Sequence, residues 1–383
     1  MDGEMHTAVR KRLFTPGPTP IPDLVQRSMA NTPVYHRGPD FPPLIRGVVS
    51  GLKRVFPTGD ELFILSSSGT GAMEAAVVNT LSAGDRVLVA QAGHFGARWT
   101  EICRTYGMEV ETLDFSWGAA IDPDAVEKGL KRDSRIRAVL TTHSETSTGA
   151  LHDIEAIGTI VRERDALLLV DGVSSVGAHP LPTDEWGVDI SVTASQKGLM
   201  APPGMGIITV GSRALEALER SDLSKYYLDL RRYRVALSEG RGPATLPVTL
   251  LAGLSTALNM ILHEGLEAVW NRHARHATAV REAAIALGLS LLAERPSNAL
   301  TAISLPEGLD GVVLMDYLQE RHGIITGGGI GHLKGRLIRI SNLGFVNDAD
   351  ILTAVSALEM GLEELNWVFR AGSGVEAAED VLG

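Results

Sequence analysis

The chain has 383 residues, 44% hydrophobic and 21% charged, enough for one large domain plus a smaller one with a sizeable buried core. With 35 basic and 46 acidic side chains the net charge is −11, which disfavours nucleic acid and anionic membranes as partners. A single cysteine, Cys103, excludes an intramolecular disulfide, and no apolar run is long enough to span a bilayer.

The expectation is therefore a soluble cytoplasmic protein. The N-terminus MDGEMHTAVRKRLF has no apolar stretch of the kind a signal peptide needs. The first twenty residues read as an arm ending in TPGPTPIP, too rich in proline for regular structure. PDLVQRSMAN and FPPLIRGVVSGLKRVF follow as helices, the second with apolar residues at Leu44, Ile45, Val48, Val49 and Leu52. Short apolar strands then alternate with helical stretches. The strands are ELFILSS, DRVLVAQA, EVETLDF, IRAVLTTHS, ALLLVDG, DISVTAS and GIITVGS. The intervening helices are GTGAMEAAVVNTLSA, ARWTEICRTYG, PDAVEKGLKR and DIEAIGTIVRERD. This alternation predicts an α/β domain whose mostly parallel, seven-stranded sheet lies between helices.

After about residue 245 the pattern changes to a long helical region broken at Gly265, then SNALTAISLP, the helix DGVVLMDYLQERHG, a turn GGGIG, the strand RLIRISN and the helix DADILTAVSALEMGLEEL. This reads as a smaller α+β domain. The expected division is an arm (1–20), a large domain (21–250) and a small C-terminal domain (251–383). The small, polar tail AGSGVEAAEDVLG is expected to be loosely held.

Chemistry-bearing residues collect at strand ends, where open α/β sheets bind ligands. SSSGTGAME (66–74) precedes a helix, so its backbone amides suit a phosphate; a plain N-cap and tight turn explains it equally. Asp171 ends the apolar run LLLVD, where a carboxylate needs a cation or strong donors, or caps the next segment. THSETSTG (142–149) offers hydroxyls, an imidazole and a carboxylate, and turn chemistry covers most of that. Lys197 ends another strand without charged neighbours, and a lysine in apolar surroundings has a lowered pKa and can act as nucleophile and base. Phosphate cradle, anionic partner for a ring nitrogen, and reactive amine are together the needs of pyridoxal phosphate.

These segments also resemble a known family. TPGPTP (15–20), SSSGTGAMEAA (66–76), GHFGARW (93–99), THSETSTG (142–149), LLLVDGVSSVG, SQKGLMAPPG (195–204), ATLPV (244–248) and RLIRISNLG (336–344) occur in the order found in class V, fold-type I aminotransferases, in particular the alanine–glyoxylate and serine–glyoxylate (serine–pyruvate) branch. The resemblance implies pyridoxal 5'-phosphate held covalently by Lys197, with Asp171 on the ring nitrogen. It implies Val173 and Phe95 on the two ring faces, Phe95 standing where the branch often has tryptophan, and Thr146 on the ring's 3-oxygen. Ser68, Gly69, Thr70 and Gln196 would hold the phosphate. In a homodimer with active sites at the interface, Thr245 would reach the neighbour's phosphate; a tyrosine usual three residues earlier is Gly242 here. Arg339 would clamp the substrate carboxylate, and the arm around Gly17 would line the pocket through its backbone. The implied activity is ping-pong transamination between alanine or serine and glyoxylate or pyruvate. An aspartate-type transaminase, or an accessory subunit keeping the fold without the activity, is the alternative.

Other readings fit less well. A cysteine desulfurase needs a late cysteine, and the chain has none after Cys103, which reads as a packing residue in a helix. A nicotinamide enzyme would leave Lys197, Asp171 and Arg339 unexplained. His263, His273 and His276 do not have metal-ligand spacing and read as a solvated helix face. In KYYLDLRRYR, a solvated segment by default, the resemblance implies a place near the active-site mouth of the partner subunit, where one of Arg231, Arg232 or Arg234 is expected to attract anionic substrates.

Overall fold

Alternation along each central strand decides what it buries. In Glu61–Ser66, Leu62 and Ile64 join one hydrophobic core while Phe63 and Leu65 join another, so the strand is covered on both faces. The computed structural model describes residues 10–383; the first nine residues of the expected arm lie outside the described residues. All seven expected strands form one sheet, in the order Glu61–Ser66, Met205–Val210, Ile190–Ala194, Leu167–Asp171, Ile136–Thr142, Arg86–Gln91 and Glu109–Asp114. Met205–Val210 runs antiparallel to both neighbours and the other pairings are parallel. Helices cover both faces, as the βα alternation requires.

A second sheet has five strands, ordered Arg12–Phe14, Ile324–Gly328, Leu337–Ser341, Leu300–Ser304 and Ser290–Leu291. Helices Leu266–Ala286, Gly311–His322, Asp348–Glu364 and Ser373–Leu382 share its core. The expectation that the arm lacks regular structure fails for Arg12–Phe14, which pairs in parallel with Ile324–Gly328. The prolines begin only at Pro16, so the preceding residues keep the N–H groups a ladder needs. Phe14 is buried in the core, and Arg12 Nη1 donates to Thr353 Oγ1 at 3.0 Å. The arm thus belongs to the second sheet. Helix Val248–Glu264 instead places Leu251, Leu254, Leu258 and Ile261 in a core of the first, so a division at residue 250 runs through a packed helix. In GGGIG, Gly327 and Gly328 extend a strand and only the later residues turn.

Two further expectations are corrected. His273 and His276 are buried, not solvated. His273 Nδ1 donates to Val269 O at 2.7 Å while its Nε2 accepts from Gly344 N at 3.1 Å, and His276 Nε2 lies 2.8 Å from Asp348 Oδ1. The buried residues Val269, His273, His276, Ala277, Val280 and Ala284 form one stripe of their helix, and both imidazoles lie on it, opposite the exposed Asn271 and Glu282. The tail, expected to be loose, is the helix Ser373–Leu382. Glu359 accepts from Gly374 N at 2.6 Å and Val375 N at 3.0 Å, a carboxylate at a helix N-terminus. Cys103 is buried as expected, and burial pushes its thiol up to about 12.

The tail helix is testable through Ala378, which is fully buried. Ala378→Asp should destabilise the chain by about 2–4 kcal/mol in urea titrations. An unchanged midpoint would mean that the tail does not pack.

Candidate active site

Lys197 follows the Ile190–Ala194 strand because the next turn lets backbones touch. Gly177, at φ +89°, and Gly198 approach so closely that a Cβ on Gly177 would lie 2.9 Å from the Gly198 carbonyl carbon. Ser195 Oγ donates to Pro202 O at 2.6 Å and Met200 N to Lys197 O at 3.0 Å, which fixes the loop. The arm crosses over it. Thr19 N donates to Gln196 O at 3.1 Å, Thr19 Oγ1 to Lys197 O at 3.1 Å, and Lys197 Nζ to Pro16 O at 2.5 Å. Gly17 has φ +148°, a conformation other residues rarely adopt, and a Cβ there would lie 2.6 Å from Lys197 Cε and displace the side chain.

The amine points into a cleft of about 140 Å³ at the carboxyl ends of the strands. Ser68, Gly69 and Thr70 form one wall at the start of helix Gly69–Thr80. Ser68 Oγ accepts from Gly71 N at 3.3 Å, so the N-cap reading holds together with the cradle. Amides in the first turn have no partner within the helix and remain available to an anion. Phe95, Thr146, Val173 and Gln196 also line the cleft.

Asp171 stands at the cleft with only 5% of its surface exposed, its Oδ1 accepting from Val173 N at 2.8 Å. Burial pushes its carboxyl up to about 6; the Val173 amide, Arg98 and Lys197 oppose that rise and Glu145 adds to it. Burial likewise lowers the Lys197 amine to about 8, against the pull of Asp171. A lysine at that value is partly neutral near physiological pH.

Arg339 is 8% exposed on Leu337–Ser341 and reaches across from the second sheet. Its Nε donates to Gly328 O at 2.8 Å and its Nη1 to Thr146 O at 2.7 Å. These bonds orient the guanidinium beside Thr146 and leave the rest of its fork free for a carboxylate. Burial brings it down to about 10, still charged at neutral pH.

Ten of the expected residues therefore line one cleft or bond to something that does: Ser68, Gly69, Thr70, Phe95, Thr146, Asp171, Val173, Gln196, Lys197 and Arg339. Gly17 joins them by contact with Lys197. Thr245 does not. It lines a separate cleft of about 440 Å³ with His36 and Arg37, its Oγ1 3.4 Å from His36 Nε2. The arginines expected to attract substrates are mostly committed elsewhere: Arg231 pairs with Asp229 at 2.9 Å and Arg234 with Glu61 at 2.8 Å.

Sequence reasoning missed two residues here. Glu145 is fully buried and accepts from Phe95 N at 3.0 Å, Gly96 N at 2.8 Å, Ser147 N at 3.0 Å and Ser147 Oγ at 2.6 Å. It thereby sets the helix that carries Phe95. Arg98 lines the cleft one turn beyond Phe95, a placement that i,i+3 spacing could have revealed.

Residues 25–355 match the family model described as Aminotransferase class-V. A soluble hydrogenase small subunit from Synechococcus sp. (strain PCC 6716) is 45% identical over 376 residues, 97% of this chain and 98% of that one. An L-aspartate–glyoxylate aminotransferase from Paracoccus denitrificans is 39% identical over 376 residues, 96% of this chain and 95% of that one. The crystal structure of an alanine–glyoxylate aminotransferase from Nostoc sp. superposes with a TM-score of 0.89 at 34% identity, covering 94% of this chain and 98% of that chain. The family match takes in the whole first sheet and all of the second but its Arg12–Phe14 strand, and the chain belongs to the class V aminotransferases, a pyridoxal-phosphate-dependent enzyme family of fold-type I.

Proposed function

We propose that this chain binds pyridoxal 5'-phosphate and transfers the amino group of a small neutral amino acid, alanine or serine, to glyoxylate or pyruvate in a ping-pong cycle. The observation that carries the reading is the Lys197 amine, removed from water and lowered to about 8, in one cleft with a buried carboxylate and a helix N-terminus.

The residues present fit the cofactor. A Cβ on Gly69 would lie 2.7 Å from Val173 Cγ2, so the cradle and a ring-facing residue close together only around glycine. Gln196 lines the same cleft and carries an amide N–H2 donor suited to an anion. Ser68, Gly69, Thr70 and Gln196 would hold the phosphate, Phe95 and Val173 the ring faces, Thr146 the 3-oxygen and Asp171 the ring nitrogen. Thr245, away from its own chain's cleft, would serve that of a second copy in a homodimer.

When bound, pyridoxal phosphate supplies a sink for the electrons left when the substrate Cα–H bond breaks. Lys197 Nζ, neutral above about pH 8, takes that proton and returns it. Pro16 O, hydrogen-bonded to Nζ, holds the amine in place. Asp171 would be held ionised by a cationic ring nitrogen, against the burial that raises its carboxyl in the empty cleft. Arg339 orients the substrate carboxylate.

The donor preference rests on charge. An acidic donor needs a second cation beside Arg339, and the cations lining the cleft are Lys197 and Arg98, the latter bonded to Thr70 Oγ1 at 3.0 Å. The hydrogenase name of one relative has no counterpart in the chemistry of this chain: a thiolate-held metal cluster takes several cysteines, and the chain has one, buried in a helix.

Protein loaded with pyridoxal phosphate should be yellow and should bleach on addition of alanine or serine without an oxo acid. Lys197→Ala should lower turnover by at least about 10²–10⁴-fold while the circular dichroism is retained. Bleaching by aspartate alone would overturn the neutral-donor part; failure to take up the cofactor would overturn the whole.

Asp171 yields a separate expectation for the cofactor-free protein. Its folded pKa, about 6, lies above the ordinary 3.8, so its ionisation costs stability as pH rises through that window. Asp171→Asn should therefore raise the stability of cofactor-free protein at pH 7 by roughly 3 kcal/mol, with the gain vanishing below about pH 4, and should lower activity. Equal denaturation midpoints at pH 7 would contradict the buried-carboxylate account.

A further inference from the structure

Arg98 is held in the cleft by three contacts, none with a carboxylate. Its Nη1 donates to Thr70 Oγ1 at 3.0 Å, its Cζ stands 4.8 Å from the centre of the Phe95 ring, and its Nη2 lies 3.4 Å from His94 Nε2. It forms no ion pair among the described residues. The side chain is half-buried, so its charge has lost water without gaining an anion.

The neighbouring charges point the same way. The start of helix Gly69–Thr80 supplies the positive end of a dipole beside Thr70. Lys197, the other cation lining the cleft, is turned to Pro16 O, and the one lining carboxylate, Asp171, faces both Arg98 and Lys197 and so offsets a single charge of the two. The cradle end is left with surplus positive charge, and a phosphate would neutralise it.

We propose that Arg98 is a phosphate-binding residue, its guanidinium giving a charge-assisted hydrogen bond to the phosphate of pyridoxal 5'-phosphate in the Ser68–Thr70 cradle. The Phe95 ring and the Thr70 hydroxyl hold the planar fork in place, so little side-chain freedom is lost when the anion arrives. The same stacking steadies the Phe95 ring. This inference rests on the cofactor reading above.

The test uses full-length cofactor-free protein, as wild type, Arg98→Ala and Arg98→Lys. Each is titrated by absorbance with pyridoxal 5'-phosphate and with pyridoxal, and inorganic phosphate is used as a competitor. Arg98→Ala should weaken pyridoxal 5'-phosphate binding by about 10- to 100-fold, leave pyridoxal binding within about threefold, and abolish competition by phosphate. Arg98→Lys, which keeps the charge but not the fork, should recover part of the loss and guards against a misfolded alanine variant. Equal losses for both ligands, or none, would overturn the phosphate role while the cofactor reading stands. A wild type that binds neither ligand would overturn both.

Discussion

One constraint organises this molecule: the Lys197 amine must be held out of water and still be free to react. Removing an ammonium from water is costly, and the lysine meets that cost by losing its proton more easily, at about 8. The backbone around it serves the same end. Gly177 and Gly198 bring two loops into contact, and Gly17 lets the arm lie over the side chain. Pro16 O and Thr19 tie the arm to the lysine loop, and Arg12–Phe14 anchors the arm to the second sheet. The reactive amine therefore sits where both sheets meet, with Arg339 arriving from the second.

Buried charge recurs around the cleft, and each case is met differently. Glu145 is satisfied by backbone and hydroxyl donors and acts as a structural anchor. Arg339 is oriented by two carbonyls and stays charged. Asp171 is under-satisfied, with one amide donor, and its carboxyl rises to about 6. A group that weakens the empty protein and gains only when a cationic partner binds is a common mark of function kept at the expense of stability.

The central sheet was legible because its strands are short, nearly continuous apolar runs that suit two-sided burial, as LLLV before Asp171 shows. The candidate site was legible because each motif falls just past a strand end, where the fold brings distant segments together. What escaped had long-range causes. The Arg12–Phe14 strand exists only because Ile324–Gly328, over 300 residues away, supplies its partner. The tail helix exists because Glu359 caps it and Ala378 finds a core. His273 and His276 lie on the buried stripe of Val269, Ala277, Val280 and Ala284, where two imidazoles among small residues broke the apolar pattern that would have marked it. Arg98 carries no motif of its own and acquires meaning only beside Thr70 and Phe95.

The most direct measurement is the pH dependence with which cofactor-free protein captures pyridoxal 5'-phosphate at Lys197, trapped by reduction and located by peptide mapping. The neutral amine is the reactive form, so the capture rate should rise through a midpoint near 8. A midpoint at the ordinary lysine value of 10.5, or capture at another lysine, would contradict the account.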